Sequence, residues 1–189
     1  QRFGAREALA RAELRATQKN SAAAYTQLAQ TRAAVAAGLS GQAEKAMGKK
    51  ATDALDRALR LDPAYFPAAV QKAQLLLDSG QPRAAEQLLR GLPDAARRSA
   101  DAAGLLARAL AVQDRAAEAE VAAREGLKSH PRDPRLHWAL AVAQALLRQP
   151  EEADQSFARA IELAPRLGRL RLVEARLNVL DAVMPNIGD

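Results

Sequence analysis

The stretch Pro134–Leu167, PRLHWALAVAQALLRQPEEADQSFARAIELAPRL, decides the fold of this chain. It holds two runs rich in alanine and leucine, strong helix formers with little β-branching. Glu151 and Glu152 open the second run, where carboxylates complement the helix dipole. Pro165 stops it, because proline has no amide hydrogen for the preceding turn. The stretch therefore predicts two short helices joined by a turn.

Shifting this window back by 34 residues finds the same pattern. Ala51, Ala85, Ala119 and Ala153 share a column, as do Ala73, Ala107 and Ala141. About a quarter of the chain is alanine, so such columns carry little weight alone. Rarer residues carry more. Pro131 and Pro165 are one period apart, and Pro63 lies two periods before Pro131. Leu106 pairs with Leu140, Leu76 with Leu110, and one column holds Leu55, Leu89, Ala123 and Phe157. No insertion is needed from Ala51 to Pro165. A fixed period of this size marks a stacked array of helix pairs.

Composition agrees. The 189 residues are 49% hydrophobic but only 3% aromatic, too apolar for a disordered chain. Apolar runs are short, such as Ala139 to Ala143, and fall far below the roughly 20 residues of a membrane span. There is no cysteine, which excludes disulfides, thiolate catalysis and cysteine metal sites. No alternating Val/Ile/Thr-rich run predicts a strand. The first residue is Gln1, which implies a processed or excised segment with any targeting signal upstream.

With those columns in place, the chain resembles the tetratricopeptide repeat family, whose unit is an antiparallel helix pair. The family pattern wants a small residue at position 8, alanine at 20, a large apolar residue at 24, a small one at 27 and proline at 32. Pro134–Leu167 meets it with Ala141, Ala153, Phe157, Ala160 and Pro165. Ala100–Asp133 follows with Ala107, Ala119, Gly126 and Pro131. Phe66–Ser99 fits through Ala73 and Ala85, but Lys72 stands at position 7 and Arg97 replaces the proline.

The resemblance implies an all-α fold: a right-handed α-solenoid of about four helix-turn-helix repeats with a flanking helix at each end. The expected divisions are 1–20, 21–65, 66–99, 100–133, 134–167 and 168–189. Four pairs predict eight helices between Ser21 and Pro165.

The first pair departs from the pattern. Its first helix is expected from Ser21 to Ala37, packing through Tyr25, Leu28 and Ala29, which makes the pair about ten residues longer than the family unit. Residues 38–50 should form a protruding tip carrying Lys45, Lys49 and Lys50, either a solvated end or a docking surface. Residues 2–18 read as a charged helix with an apolar line of Phe3, Ala10 and Leu14. Residues 169–184 read as a terminal helix with stripes at Leu170, Val173, Leu177, Leu180, Met184 and at Leu172, Ala175, Val179, Ala182. One stripe has no partner in a simple array, so self-association through it is one expectation.

No catalytic constellation emerges, and the chain calls for no cofactor or metal. His130 and His137 straddle Pro131 and Pro134 and share no helix face. There is no phosphate-binding glycine loop or nucleophile elbow. A net charge of +6 invites nucleic acid, but acids interleave with the bases and stacking aromatics are scarce. The densest basic stretch is Arg166, Arg169, Arg171 and Arg176.

Binding remains. In the family, positions 2, 5, 9, 12 and 13 of each first helix line a concave groove. Carried over, the candidate peptide-binding residues here are Val70, Gln74, Leu77, Arg108, Arg135, Trp138, Val142 and Leu146. The lysine and asparagine that grip acidic C-terminal tails in some members are missing at positions 5 and 9, so that ligand class is disfavoured. The groove read this way is mostly apolar with isolated charges, and Trp138 stands in it as an anchor or buries between repeats. The sequence thus predicts a non-enzymatic scaffold that binds a protein segment. The composition is associated with GC-rich bacteria, and such adaptors are common in assembly of envelope complexes. The alternative is the repeat domain of a larger transferase or hydroxylase.

Overall fold

A computed structural model describes residues 2–164. Among them there are ten helices and no strand. The expected all-α, helix-turn-helix architecture is present. The expected terminal helix at 169–184, with both of its stripes, and the stop at Pro165 lie outside the described residues. The chain divides at Gly80 into two compact units.

The first unit holds α1 (Arg2–Lys19), α2 (Ala22–Ala36), α3 (Gly41–Leu61) and α4 (Phe66–Asp78). Ser21 caps α2, its hydroxyl accepting from the Ala24 amide at 3.3 Å. The turn after α2 is confined to 37–40, and residues 41–50 continue as helix into α3. The expected tip is therefore a helical extension. Leu28, Ala29, Ala51, Leu55, Ala58 and Ala68 form the core, and small side chains let the helices approach closely. Helix α1 joins this core through Leu9, Ala12 and Ala16. The expected line through Ala10 and Leu14 is wrong: Leu14 is 56% exposed. Spacing 3 and 4 puts Leu9, Ala12 and Ala16 on one face, and Leu14 falls nearly opposite it. Lys72, unexpected at a packing position, bonds Asp56 on α3 at 2.5 Å.

The second unit holds α5 (Pro82–Arg90), α6 (Asp94–Arg97), α7 (Ala100–Ala111), α8 (Ala116–Ser129), α9 (Pro134–Leu146) and α10 (Pro150–Leu163). Eight helices were expected between Ser21 and Pro165. The described part of that span contains nine, because the segment after Ala85 is broken. Gly91 and Pro93 end α5 early, and a single turn, α6, follows with Pro93 at its N-cap.

The 34-residue period also appears in backbone angles. Gly80, Asp114 and Arg148 all adopt positive φ (72°, 59° and 61°) at the same repeat position. Gly80 follows α4; Asp114 and Arg148 sit in the turns between α7 and α8 and between α9 and α10, where a left-handed residue reverses the chain. The amides of Arg115 and Gln149 return to the carbonyls of Leu110 and Gln144, at 3.1 and 3.0 Å. Prolines at the first helical position, Pro82 and Pro150, then restart the chain with a preset φ.

Close packing is most exacting at Gly126 on α8. A Cβ there would lie 2.7 Å from Ala103 Cβ and 2.9 Å from Leu136 Cδ2. Glycine is the residue that lets α8 meet α7 and α9. Phe157, fully buried, fills the space between α9 and α10 over Ala141, Ala145 and Ala153. The same pair carries a buried polar contact, Ser156 Oγ donating to Gln144 Oε1 at 2.7 Å.

Candidate functional site

Helices α7 and α9, the first helices of successive pairs, pack against each other. Each carries a stripe of four residues at spacing 3, 4, 4, which holds one helix face. On α7 it is Asp101, Gly104, Arg108 and Val112; on α9 it is Arg135, Trp138, Val142 and Leu146. The two stripes are offset by one period. All eight residues are exposed or half-buried. Val112 is 62% exposed, high for a valine near a helix end.

Charge closes one end of this surface. The Arg135 guanidinium pairs with Asp101 across the two helices. It also bonds Asp133 at 2.7 Å. Asp133 caps α9 by accepting from the Arg135 amide at 2.8 Å. The Arg135 side chain therefore holds the Asp133 carboxyl below its ordinary value; partial burial opposes this, and the Arg135 amide adds to it. Arg135 is held as a fixed cross-strut.

Trp138 rests its ring edge-on against buried Phe157, with centroids 4.7 Å apart and planes at 60°. Trp138 and Val142 pack on the Ala141, Ala145, Ala153, Phe157 cluster while remaining partly exposed. The tryptophan is thus packed on the core of the last pair and keeps only part of its surface exposed.

Of the other sequence candidates, three lie away from this surface and two lie on it. Val70, Gln74 and Leu77 sit on α4 in the first unit. Val70 and Gln74 are half-buried, and Gln74 bonds the Asp78 carboxylate at 2.8 Å. Leu77 is buried. Arg108 is exposed on α7, and Leu146 is half-buried on α9. Sequence reasoning did not pair Asp101 with Arg135, although opposite charges 34 apart in one column were the available signal.

A second polar cluster fixes α5 to the α7–α8 turn. Buried Glu86 accepts from Arg90 at 2.8 Å, Gln113 at 3.0 Å and Arg115 at 2.7 Å. Burial alone would push its carboxyl up, but the three hydrogen bonds together outweigh it and the pKa falls. Arg115 also grips Glu118 at 2.6 Å.

Both histidines serve turns. His130 Nε2 donates to the Arg98 carbonyl at 3.1 Å and His137 Nε2 to that of Pro131 at 2.9 Å. Among the described residues no group of His, Asp or Glu is placed to hold a metal, and no helix is long and apolar enough to cross a membrane.

Helix pairs repeating every 34 residues, with small residues at the close contacts and left-handed residues after α4, α7 and α9, define a helical-repeat protein. Tetratricopeptide repeat models match residues 40–109 and 134–167, together more than half the sequence. The chain belongs to the tetratricopeptide repeat family.

Solved structures share the fold. MamA from Desulfovibrio magneticus RS-1 is 23% identical, with 86% of each chain covered and a TM-score of 0.68. YrrB, described as a TPR protein with an unusual peptide-binding site, is 19% identical over 82% of this chain and 74% of its own, with a TM-score of 0.59. A thermophilic TPR protein of Thermus thermophilus is 19% identical over 84% and 93%, with a TM-score of 0.58. No curated protein sequence matches significantly.

Proposed function

We propose that this protein is a non-enzymatic scaffold that holds a protein segment against the α7–α9 face, as an adaptor in assembly of a bacterial complex. The carrying observation is the pair of matched stripes. Trp138, Val142, Leu146 and Val112 leave apolar surface on a face bounded by the Asp101–Arg135 bridge. Tryptophan and arginine dominate the energetics of protein interfaces. An anchor already packed on Phe157 loses little freedom on binding, so more of its contact energy is retained. The peptide-binding site named for YrrB, a relative in fold, supports the reading by analogy. The repeat divisions 21–65, 66–99, 100–133 and 134–167 are proposed as the structural units of this scaffold.

The test is capture of partners from the source cell by the chain and by its Trp138→Phe and Trp138→Ala variants. The partner bound by the parent chain should be retained by Trp138→Phe and lost by Trp138→Ala. Equal capture by all three, from folded protein, refutes the assignment.

A further inference from the structure

The net positive charge is concentrated in the first unit. Residues 1–80 carry 12 Lys and Arg against 7 Asp and Glu, a net of +5; residues 81–189 carry 16 against 15, a net of +1. Within the first unit, the leading turns of α3 hold Lys45, Lys49 and Lys50 with Glu44 as the one acid between 41 and 50. All three lysines are exposed. Among the described residues no carboxylate lies within ion-pair distance of them, whereas Glu7, Glu13 and Asp56 are bound to Arg11, Arg32 and Lys72.

These turns break local rules for helix stability. Lys45 and Lys49 are like charges at i,i+4, and Lys50 adds a third. Gly48 lies between them, with nothing within 4 Å of where its Cβ would be, so packing does not require glycine. The segment is tied to the rest of the unit at its far end, Lys50. Arg32 donates to the Lys50 carbonyl at 2.9 Å and to Glu13 at 3.1 Å, tying α3 to α2 and α1. Like charges and an unrequired glycine, in turns that packing does not explain, are what a surface kept for binding would show.

We propose that this end of α3 docks a flexible acidic polypeptide segment, at a surface separate from the α7–α9 face. The chemistry favours that partner over other anions. Lysine is a mobile point charge suited to dispersed carboxylates, whereas rigid bidentate recognition of phosphate favours arginine. Residues 41–50 contain no aromatic ring to stack a base. They also lack the large apolar side chains that anchor an interfacial helix in a bilayer, Met47 apart.

The probe is labelled poly-L-glutamate, with duplex DNA and phosphatidylserine vesicles in parallel, read by anisotropy and sedimentation at low and high salt. The parent chain should bind polyglutamate most tightly, with affinity falling as salt rises. Replacing Lys45, Lys49 and Lys50 by Gln should weaken that binding about tenfold, as expected for three exposed ion pairs. Replacing them by Arg should restore it, and the Gln variant should melt no lower than the parent. Absent polyglutamate binding at low salt, an unchanged affinity in the folded Gln variant, or tighter binding to DNA or vesicles overturns the proposal. Should the triple Gln variant fail to fold, Lys49→Glu alone decides on the same criteria.

Discussion

Two glycines facing the same leucine should respond oppositely to the same substitution. Gly104 lies in α7 and Gly126 in α8, and both approach Leu136. Alanine in a helix interior is favoured over glycine by about 0.8–1.0 kcal/mol. At Gly104 the new Cβ would meet Leu136 Cδ2 at 3.7 Å, an ordinary contact. Gly104→Ala should therefore keep the whole gain, about 0.8–1.0 kcal/mol. At Gly126 the Cβ would lie 2.7 Å from Ala103 Cβ and 2.9 and 3.1 Å from the two Leu136 methyls. Comfortable carbon contacts are about 3.5–4.0 Å. Ala103 Cβ is fixed to its backbone and Leu136 is fully buried, so neither yields without moving a helix. Overpacking of this kind costs about 1–3 kcal/mol and cancels or exceeds the propensity gain. The two variants should differ by about 1–3 kcal/mol, or several degrees in Tm. Urea and thermal melts of the pair measure it. A Gly126→Ala variant as stable as Gly104→Ala would refute the close approach of α8.

Other expectations follow from the same packing and charge. Arg148 holds a left-handed conformation that glycine accepts without strain, so Arg148→Gly should raise stability by about 0.5–1 kcal/mol by melting. Phe157→Ala should cost about 3–5 kcal/mol by the same melts, because the ring is fully buried in the last pair. Glu86 and Asp133 have folded pKa values below their ordinary 4.5 and 3.8, so their contribution is present above those values and lost as pH falls through and below them. Glu86→Gln should make acid destabilisation below about pH 4.5 shallower in a pH series of melts.

The repeat was legible because packing imposes it. Ala85, Ala119 and Ala153 are all fully buried, as their shared column required. The left-handed turn column was less legible, since Gly80, Asp114 and Arg148 share a backbone angle and no side-chain chemistry. The break at Gly91 and Pro93 was written in the sequence, but the period pointed to Arg97 as the helix end. The face of α1 misled for a different reason. In so alanine-rich a helix, Leu14 outweighs Ala12 and Ala16 in apparent hydrophobicity, yet close contact selects the small residues. At the candidate site, Trp138 was expected either in the groove or buried; it packs on Phe157 and stays partly exposed, which a spacing argument cannot resolve.

Two matched valines test whether the α7–α9 face binds the partner. Val112 on the α7 stripe is 62% exposed and Val121 on α8 is 59% exposed. Glutamate at either position should leave the fold intact, since neither side chain fills the core. Each variant is offered the partner captured by the parent chain, and its affinity is measured alongside its melting curve. Val112→Glu should abolish or strongly weaken binding while Val121→Glu binds as the parent does. Full affinity in Val112→Glu, or loss in Val121→Glu alone, would mean that the partner binds elsewhere than the α7–α9 face.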